Sequence, residues 1–384
     1  MEAHNNTLPT ELLDIIFAHL RDDNASLRSC SLTCRSWVSP TRVYLLASIR
    51  LDLWLHMVRF EALLHDSPHI SPYIQRLVVS AYSEEPAALK PAALKLISSI
   101  YSRLGAVTDL HIFYNTAVPS TIPPALAAVG PVRRLNISVA DSASSTRDNH
   151  VTLLMQTLEL LPLTEELTYR ARFSINPSVD VMDMSILAGI MSRTHLTRLQ
   201  LFDREVCRLF MGCFKSGSPP GLKVVDLASC EFGAMDLATL SKLILGTARS
   251  LKRLNVTGSK IHRSVDWGEV LESCNVLEHV QLDLCPFAMA AKFASRVALP
   301  SLLALELDLV YGTKSDGDHL VEFAQSLLNR SRFRSLLRVV LHIRGYADYN
   351  RKNALERQFS DTLDPLRKRY ALTVTYLFAP PMWS

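Results

Sequence analysis

Residues 30 to 37 read Cys-Ser-Leu-Thr-Cys-Arg-Ser-Trp, which sets two thiols four positions apart beside an arginine and a tryptophan. Thiols so placed suit a metal site, redox chemistry or nucleophilic attack. A structural metal needs about four N, O or S ligands in fixed geometry. Here the nearest histidine in sequence is His19, and no further cysteine or histidine is close enough to complete a set. A nucleophile needs a partnered base and a thiol whose pKa is drawn down, and no neighbour supplies either. What is left is packing, since reduced cysteine is among the most buried residue types. The rest of the chain offers no stronger chemistry. It has no phosphate-cradling glycine loop, no HExxH and no GxSxG, and its 12 histidines are scattered. The segment SDGDH (315–319) lacks the spacing of a calcium loop and reads as the start of a helix over 318–330 with an Asp cap. No metal and no cofactor is expected.

Positioning comes from a chain of 384 residues that is 48% apolar, enough for two domains or one elongated array with a large core. A net charge of +4 with both signs interspersed argues for neither nucleic acid nor a membrane surface. The polar start MEAHNNTLPT lacks the apolar core of a signal peptide, and no run of apolar residues is long enough to span a bilayer. Together with seven cysteines, an odd number, these features predict reduced thiols in the cytoplasm, the nucleus or both.

Residues 8 to 48 read as an all-helical unit. Pro9 suits a first helical position. Leu12, Leu13, Ile16, Phe17 and Leu20 then recur at helical spacing. After the polar break Arg21-Asp22-Asp23-Asn24, a second pattern holds Leu27, Cys30, Leu32 and Cys34 and runs into Trp37, and Pro40 is expected to disturb the helix beyond. About forty residues with this much apolar surface cannot bury it all internally. Some of it must dock on a partner or on the rest of the chain.

From about residue 70 a strand-like unit keeps returning: IQRLVV (74–79), VTDLHI, VRRLNI, TEELTY, LTRLQL, LKVVDL, LKRLNV, LEHVQL, LLALEL and LLRVVL (336–341). Its fourth position falls at 77, 110, 135, 167, 199, 225, 254, 280, 305 and 339, so the period is 25 to 34 residues. A period in that range marks a repeat architecture. Helical stretches lie between, over 86–105, 234–248 and 316–330, and strand plus helix in repetition implies parallel strands with crossover helices on one side. LKVVDLASC, ending at Cys230, and LEHVQLDLC, ending at Cys285, match the pattern L-x-x-L-x-L-x-x-N/C, and LKRLNVTGS puts Ser259 in the last slot. These residues resemble the leucine-rich repeat family, which implies an α/β fold: an irregular solenoid with parallel strands on the concave side and helices on the convex side. The alternating C-terminal YALTVTYLF (370–378) reads as its cap.

LPTELLDIIFAHL, a polar gap, then LRSCSLTCRSW looks like an F-box, carried by Leu8-Pro9, Glu11-Leu12-Leu13, Ile16, Phe17, Leu20 and Cys34-Arg35-Ser36-Trp37. Thr33 departs from the family, which usually has an apolar residue there. The resemblance implies a three-helix module docking on a Skp-type adaptor, which recruits a cullin–RING core. Leucine-rich repeats after an F-box imply the substrate receptor of an SCF-type ubiquitin ligase, itself without catalytic activity. The rival is a repeat scaffold for protein–protein interaction that acts outside a ligase. The expected organisation is a flexible N-terminus (1–7), the F-box (8–48), a helical linker (49–73) and the repeat domain with its cap (74–384).

For adaptor docking the resemblance points to Leu8, Pro9, Leu12, Leu13, Ile16, Leu27, Cys30, Cys34, Arg35 and Trp37, with the apolar face divided between internal core and interface. Trp and Arg are enriched at interface hot spots. For the protein to be captured, the repeats present arginine at their third position: Arg76, Arg134, Arg198, Arg253 and Arg338. In an alternating strand that position points away from the apolar fourth and sixth. The stripe suits an acidic or phosphorylated segment; its alternative is an ordinary solvated face, since Asp109, Glu166, Glu306 and Asp308 interrupt it. Candidate contacts are Arg134, Arg198, Arg253, His279 and Arg338, with Phe202 as either an aromatic anchor or turn packing.

Overall fold

The structure, a computed structural model, describes residues 8–21, 23–81, 90–114, 124–139, 147–171, 187, 189–190, 193–202, 207, 210, 221–228, 234–257, 267–311, 315–329, 331–346 and 349–379. Cys213, Cys230, Ser259 and the first part of the helix expected over 86–105 lie outside the described residues. The chain divides into two compact units, Met1–Thr164 and Glu165–Ser384.

The first unit opens with three helices, α1 (Thr10–His19), α2 (Asn24–Thr33) and α3 (Arg35–Ala47). Pro9 stands one residue before its expected place, outside α1, where its carbonyl accepts the Leu13 N–H at 3.1 Å. Asp23 caps α2, and its carboxylate accepts the N–H groups of Ala25 and Ser26, both at 3.1 Å. Contrary to expectation, α3 runs straight through Pro40. The missing N–H leaves only the carbonyl of Ser36, an exposed residue near the helix start, where water can replace it.

Chain leaves α3 directly into a strand. β1 (Ser48–Leu51) pairs in parallel with β2 (Arg76–Ala81), so the expected linker over 49–73 contains the first strand of the sheet, then helix α4 (Trp54–Asp66) and a 3-10 turn over Pro68–Tyr73. β3 (Asp109–Tyr114) and β4 (Arg134–Val139) follow in sequence order, all parallel, with α5 (Lys90–Arg103) between β2 and β3 and α6 (Arg147–Leu160) after β4. Gly130 is placed by a close approach. Its φ is +122°, and a Cβ there would lie 2.8 Å from the carbonyl oxygen of Gly105.

Among the described residues, the second unit holds eight parallel strands in sequence order: β5 (Glu166–Ala171), β6 (Arg198–Leu201), β7 (Val224–Ala228), β8 (Arg253–Thr257), β9 (His279–Pro286), β10 (Ala304–Tyr311), β11 (Arg338–Tyr346) and β12 (Ala371–Ala379). Register follows the repeat. The fourth positions stack Leu167, Leu199, Val225, Leu254, Val280, Leu305 and Val339, and Leu372 of β12 continues the row. Except for Leu372 these are buried, as are the sixth positions from Tyr169 to Leu341. A one-residue slip would turn both rows into solvent, so the pattern dictates the pairing. The ladder extends one residue upstream, where each second-position N–H bonds the preceding repeat's second-position carbonyl, as from Lys252 to Lys223 at 2.8 Å and from Leu337 to Leu303 at 2.9 Å.

Helices α7 (Ala234–Thr247), α8 (Trp267–Leu271), α9 (Phe287–Arg296), α10 (Asp316–Leu327) and α11 (Tyr349–Arg367) connect the strands. They bury Phe287, Phe293, Leu320, Phe323, Phe359 and Leu363. α10 begins at Asp316, the start of the helical stretch read over 316–330, and Asp316 and Asp318 lie inside its first turn rather than capping it. Opposite the buried rows, the third and fifth positions form a polar strand face.

Candidate docking surfaces

Helix α1 is apolar on two sides. Leu13 and Phe17 turn inward and form a core with Leu27 of α2, lined by Leu20, Cys30, Trp37, Tyr44 and Leu45. Phe17 meets Trp37 edge-on, with centroids 5.9 Å apart and planes at 74°, and the Tyr44 hydroxyl donates to the Asp14 carbonyl at 3.2 Å. Outward face Leu12, Ile15 and Ile16, exposed by 47%, 56% and 42%, with Leu8 and Pro9 exposed before them. Of the residues expected at a docking surface, Leu13 and Leu27 are therefore wholly internal, because a three-helix unit this small needs them to close its core. Trp37 is half-buried, an inner wall with a partly open edge.

Cys30 and Cys34 do not share a helical face, contrary to the packing expected of them. α2 stops at Thr33, and Cys34 is extended (φ −153°, ψ 140°) and exposed at the start of α3, followed by the exposed Arg35. Cys30 packs on the core. The Cys34 thiol lies 2.8 Å from the Ser36 hydroxyl, and hydrogen bonding from Ser36 draws its pKa down. One exposed apolar residue of α1 went unassigned by the spacing. Ile15 was legible, since 12, 15 and 16 stand at i, i+3 and i+4. Leu32, which the spacing placed in the second helical pattern with Leu27 and Cys30, is instead 88% exposed.

In the first unit the arginine stripe is neutralised. Asp109, 4% exposed, takes Arg76 Nε at 2.9 Å, Arg134 Nη2 at 3.3 Å and His111 Nε2 at 2.8 Å. Burial raises the Asp109 pKa, but the bonds and charges of His111 and Arg76 outweigh it and hold the carboxyl below its usual range. Arg134 is thus tied into a structural cluster.

In the second unit Arg198, Arg253, His279 and Arg338 come together on one groove of 540 Å³ across β6 to β11. Arg198 pairs with Glu166 at 3.6 Å. Arg253 and Arg338, both exposed, form no ion pair among the described residues. Burial beside Arg253 lowers the pKa of His279 and favours its neutral form. The fifth positions form the floor as a hydrogen-bonded row. Thr168 Oγ1 donates to Gln200 Oε1 at 2.8 Å, Gln200 Nε2 to Asp226 Oδ2 at 3.1 Å, and Gln281 Nε2 to Glu306 Oε1 at 3.0 Å. Asp226 Oδ1 and Asn255 Oδ1 are buried without a hydrogen-bond partner among the described residues. Burial raises the Asp226 pKa against the pull of Gln200, Arg253, Arg198 and Arg170. Leu303, Ala304, Leu337 and Val340 make an apolar end that the sequence reading did not assign. Phe202 is outside the groove lining, covered by the Arg170 guanidinium 4.4 Å above its ring.

Further along the strands, Asp308 is 3% exposed and pairs with Arg344. Burial and the neighbouring Asp283 carboxyl push its pKa up to about 7 against the pull of Arg344. Cys285, in the slot expected to face inward, is buried with its thiol 3.8 Å from the Asp283 carbonyl, and burial pushes its pKa up to about 12. Among the described residues, no group of three or more His, Cys, Asp or Glu is arranged to hold a metal ion, and no helix is long and apolar enough to cross a membrane.

The F-box-like family model matches residues 5–51, which spans all three helices and β1. The chain therefore carries an F-box-like domain in its first unit. No curated protein matches the chain closely enough to count as a relative.

Proposed function

We propose that this protein is the substrate receptor of an SCF-type ubiquitin ligase. The F-box-like domain docks a Skp-type adaptor, the adaptor brings a cullin–RING core, and the polar strand face of the second unit captures the protein to be ubiquitinated. That face belongs to a leucine-rich-repeat array, a reading supported by the strict stacking of the fourth and sixth positions. The chain does no chemistry itself and contributes proximity and orientation to enzymes carried by its partners, in the cytoplasm or nucleus.

The observation that carries this reading is the outward apolar row Leu12, Ile15 and Ile16 on the first helix of the matched domain, with Leu8 exposed just before it. A helix with a complete inner face and a second apolar face in solvent fits a groove-docking partner. The test is co-purification of a Skp-type adaptor with the wild-type chain and with a Leu12→Glu/Ile16→Glu variant. The wild type retains the adaptor, and the variant loses it while its melting temperature is unchanged. Equal retention by both, or by neither, overturns the proposal.

A further inference from the structure

We propose that the groove across β6 to β11 binds an extended acidic peptide that carries two anionic side chains about four residues apart with an apolar side chain between them. This rests on the substrate-receptor reading and names its ligand class.

Five arginines lie on the stripe in sequence, and three of them are ion-paired. Arg76 and Arg134 are held by Asp109, and Arg198 by Glu166. Arg253 and Arg338 form no ion pair among the described residues, Arg253 feeling only the more distant Asp226 carboxyl, and both line the groove. They sit at the same register position on β8 and β11, joined through His279 and Ala304. Three strand steps of about 4.8 Å put them about 14 Å apart, which is the reach of about four residues of extended chain. Between them the third position shrinks to Ala304, flanked by Leu303, Leu337 and Val340, and this apolar end suits one aliphatic or aromatic side chain.

The same groove disfavours nucleic acid. A phosphodiester chain repeats its charge along its whole length, whereas the floor sets Asp226 and Glu306 among the arginines. Asp226 Oδ1 and Asn255 Oδ1 lack hydrogen-bond donors among the described residues. Both residues are half-buried in the groove lining, so a side-chain rotation presents them to the N–H groups of a peptide backbone. A phosphate backbone has no such donors.

The experiment uses the full chain with its Skp-type adaptor and fluorescence anisotropy of labelled peptides. The probes are a peptide with the core Glu-Ala-Leu-Ala-Glu, its phosphoserine counterpart (Ser(P) for both Glu), its Gln counterpart, its Lys counterpart, and a single-stranded RNA of equal length. Both anionic peptides bind, the phosphoserine arm showing whether phosphate or carboxylate is preferred. The Gln and Lys peptides bind about tenfold more weakly or not at all, as expected for loss of two charge-assisted contacts. Arg253→Glu/Arg338→Glu weakens the acidic peptide by a similar factor and gains binding to the Lys peptide, a charge swap that a misfolded groove cannot produce. Equal binding of the Glu and Gln peptides, failure of the charge swap, or preference for the RNA overturns the inference. Adaptor retention is read in the same samples. Loss of adaptor with peptide binding intact refutes the ligase reading alone, and the reverse refutes the groove ligand alone.

Discussion

Arg76 Nε meets Asp109 Oδ2 at 2.9 Å, from the same register position on the adjacent strand. Arg134 reaches the same oxygen from the other side. One nearly buried carboxylate thus holds two half-exposed guanidinium groups and bridges β2, β3 and β4. Asp109→Asn leaves both arginines without a counter-charge and costs about 1–3 kcal/mol. The folded pKa of Asp109 is depressed, so its contribution is present above the unfolded value, near 3.8, and is lost as pH falls through the lower folded value. Thermal unfolding between pH 2 and 6 is the check: the wild type loses stability at the acid end, and Asp109→Asn shows a shallower fall.

Asp308 has the opposite sign. Its folded pKa, about 7, lies above its unfolded value, so the proton it holds in the fold contributes stability fully below about pH 4. That contribution is lost as pH rises through 7. Asp308→Asn keeps the shape without the titration. Between pH 4 and 8 the melting temperature of the wild type falls relative to that of Asp308→Asn.

Phe17 is fully buried and touches both Trp37 and Tyr44. Phe17→Ala opens a cavity in a small core and costs about 3–5 kcal/mol, whereas Leu12→Ala, on the exposed face of the same helix, stays within about 0.5 kcal/mol. Chemical denaturation followed by the fluorescence of Trp37, with the other three tryptophans replaced by Phe, separates the two.

Gly130 cannot take a side chain where it stands. With φ at +122° and the Gly105 carbonyl 2.8 Å from a built Cβ, Gly130→Ala strains the backbone and forces the two segments apart. The expected loss exceeds about 1 kcal/mol, whereas Gly105→Ala, which has open space around its Cβ, loses less. Paired thermal melts give the comparison.

Among the described cysteines, Cys34 alkylates first. It is exposed, and hydrogen bonding from Ser36 favours its thiolate, while burial raises the thiol pKa of Cys274 and Cys285 to about 11 and about 12. Brief iodoacetamide treatment at neutral pH followed by peptide mass mapping shows Cys34 modified and the buried pair untouched.

The sequence alone determined the ten repeat strands and their register. Ten segments repeat an apolar fourth and sixth position, side chains on a strand alternate with period two, and only one register buries both rows. It also determined the F-box-like module, since two blocks of specific residue types stand at fixed separation. The strand at 48–51 was not legible, because four residues carry too little alternation to stand out from the end of a helix. Tertiary structure alone decided which charges remain available. Neutralising Arg76 and Arg134 requires Asp109 on the strand between them, and sparing Arg253 and Arg338 depends on which side chains flank them across the sheet. It likewise decided that Leu13 faces inward while Leu12 and Ile16 face solvent, because the direction of an apolar face on a short helix is set by the helices packed against it.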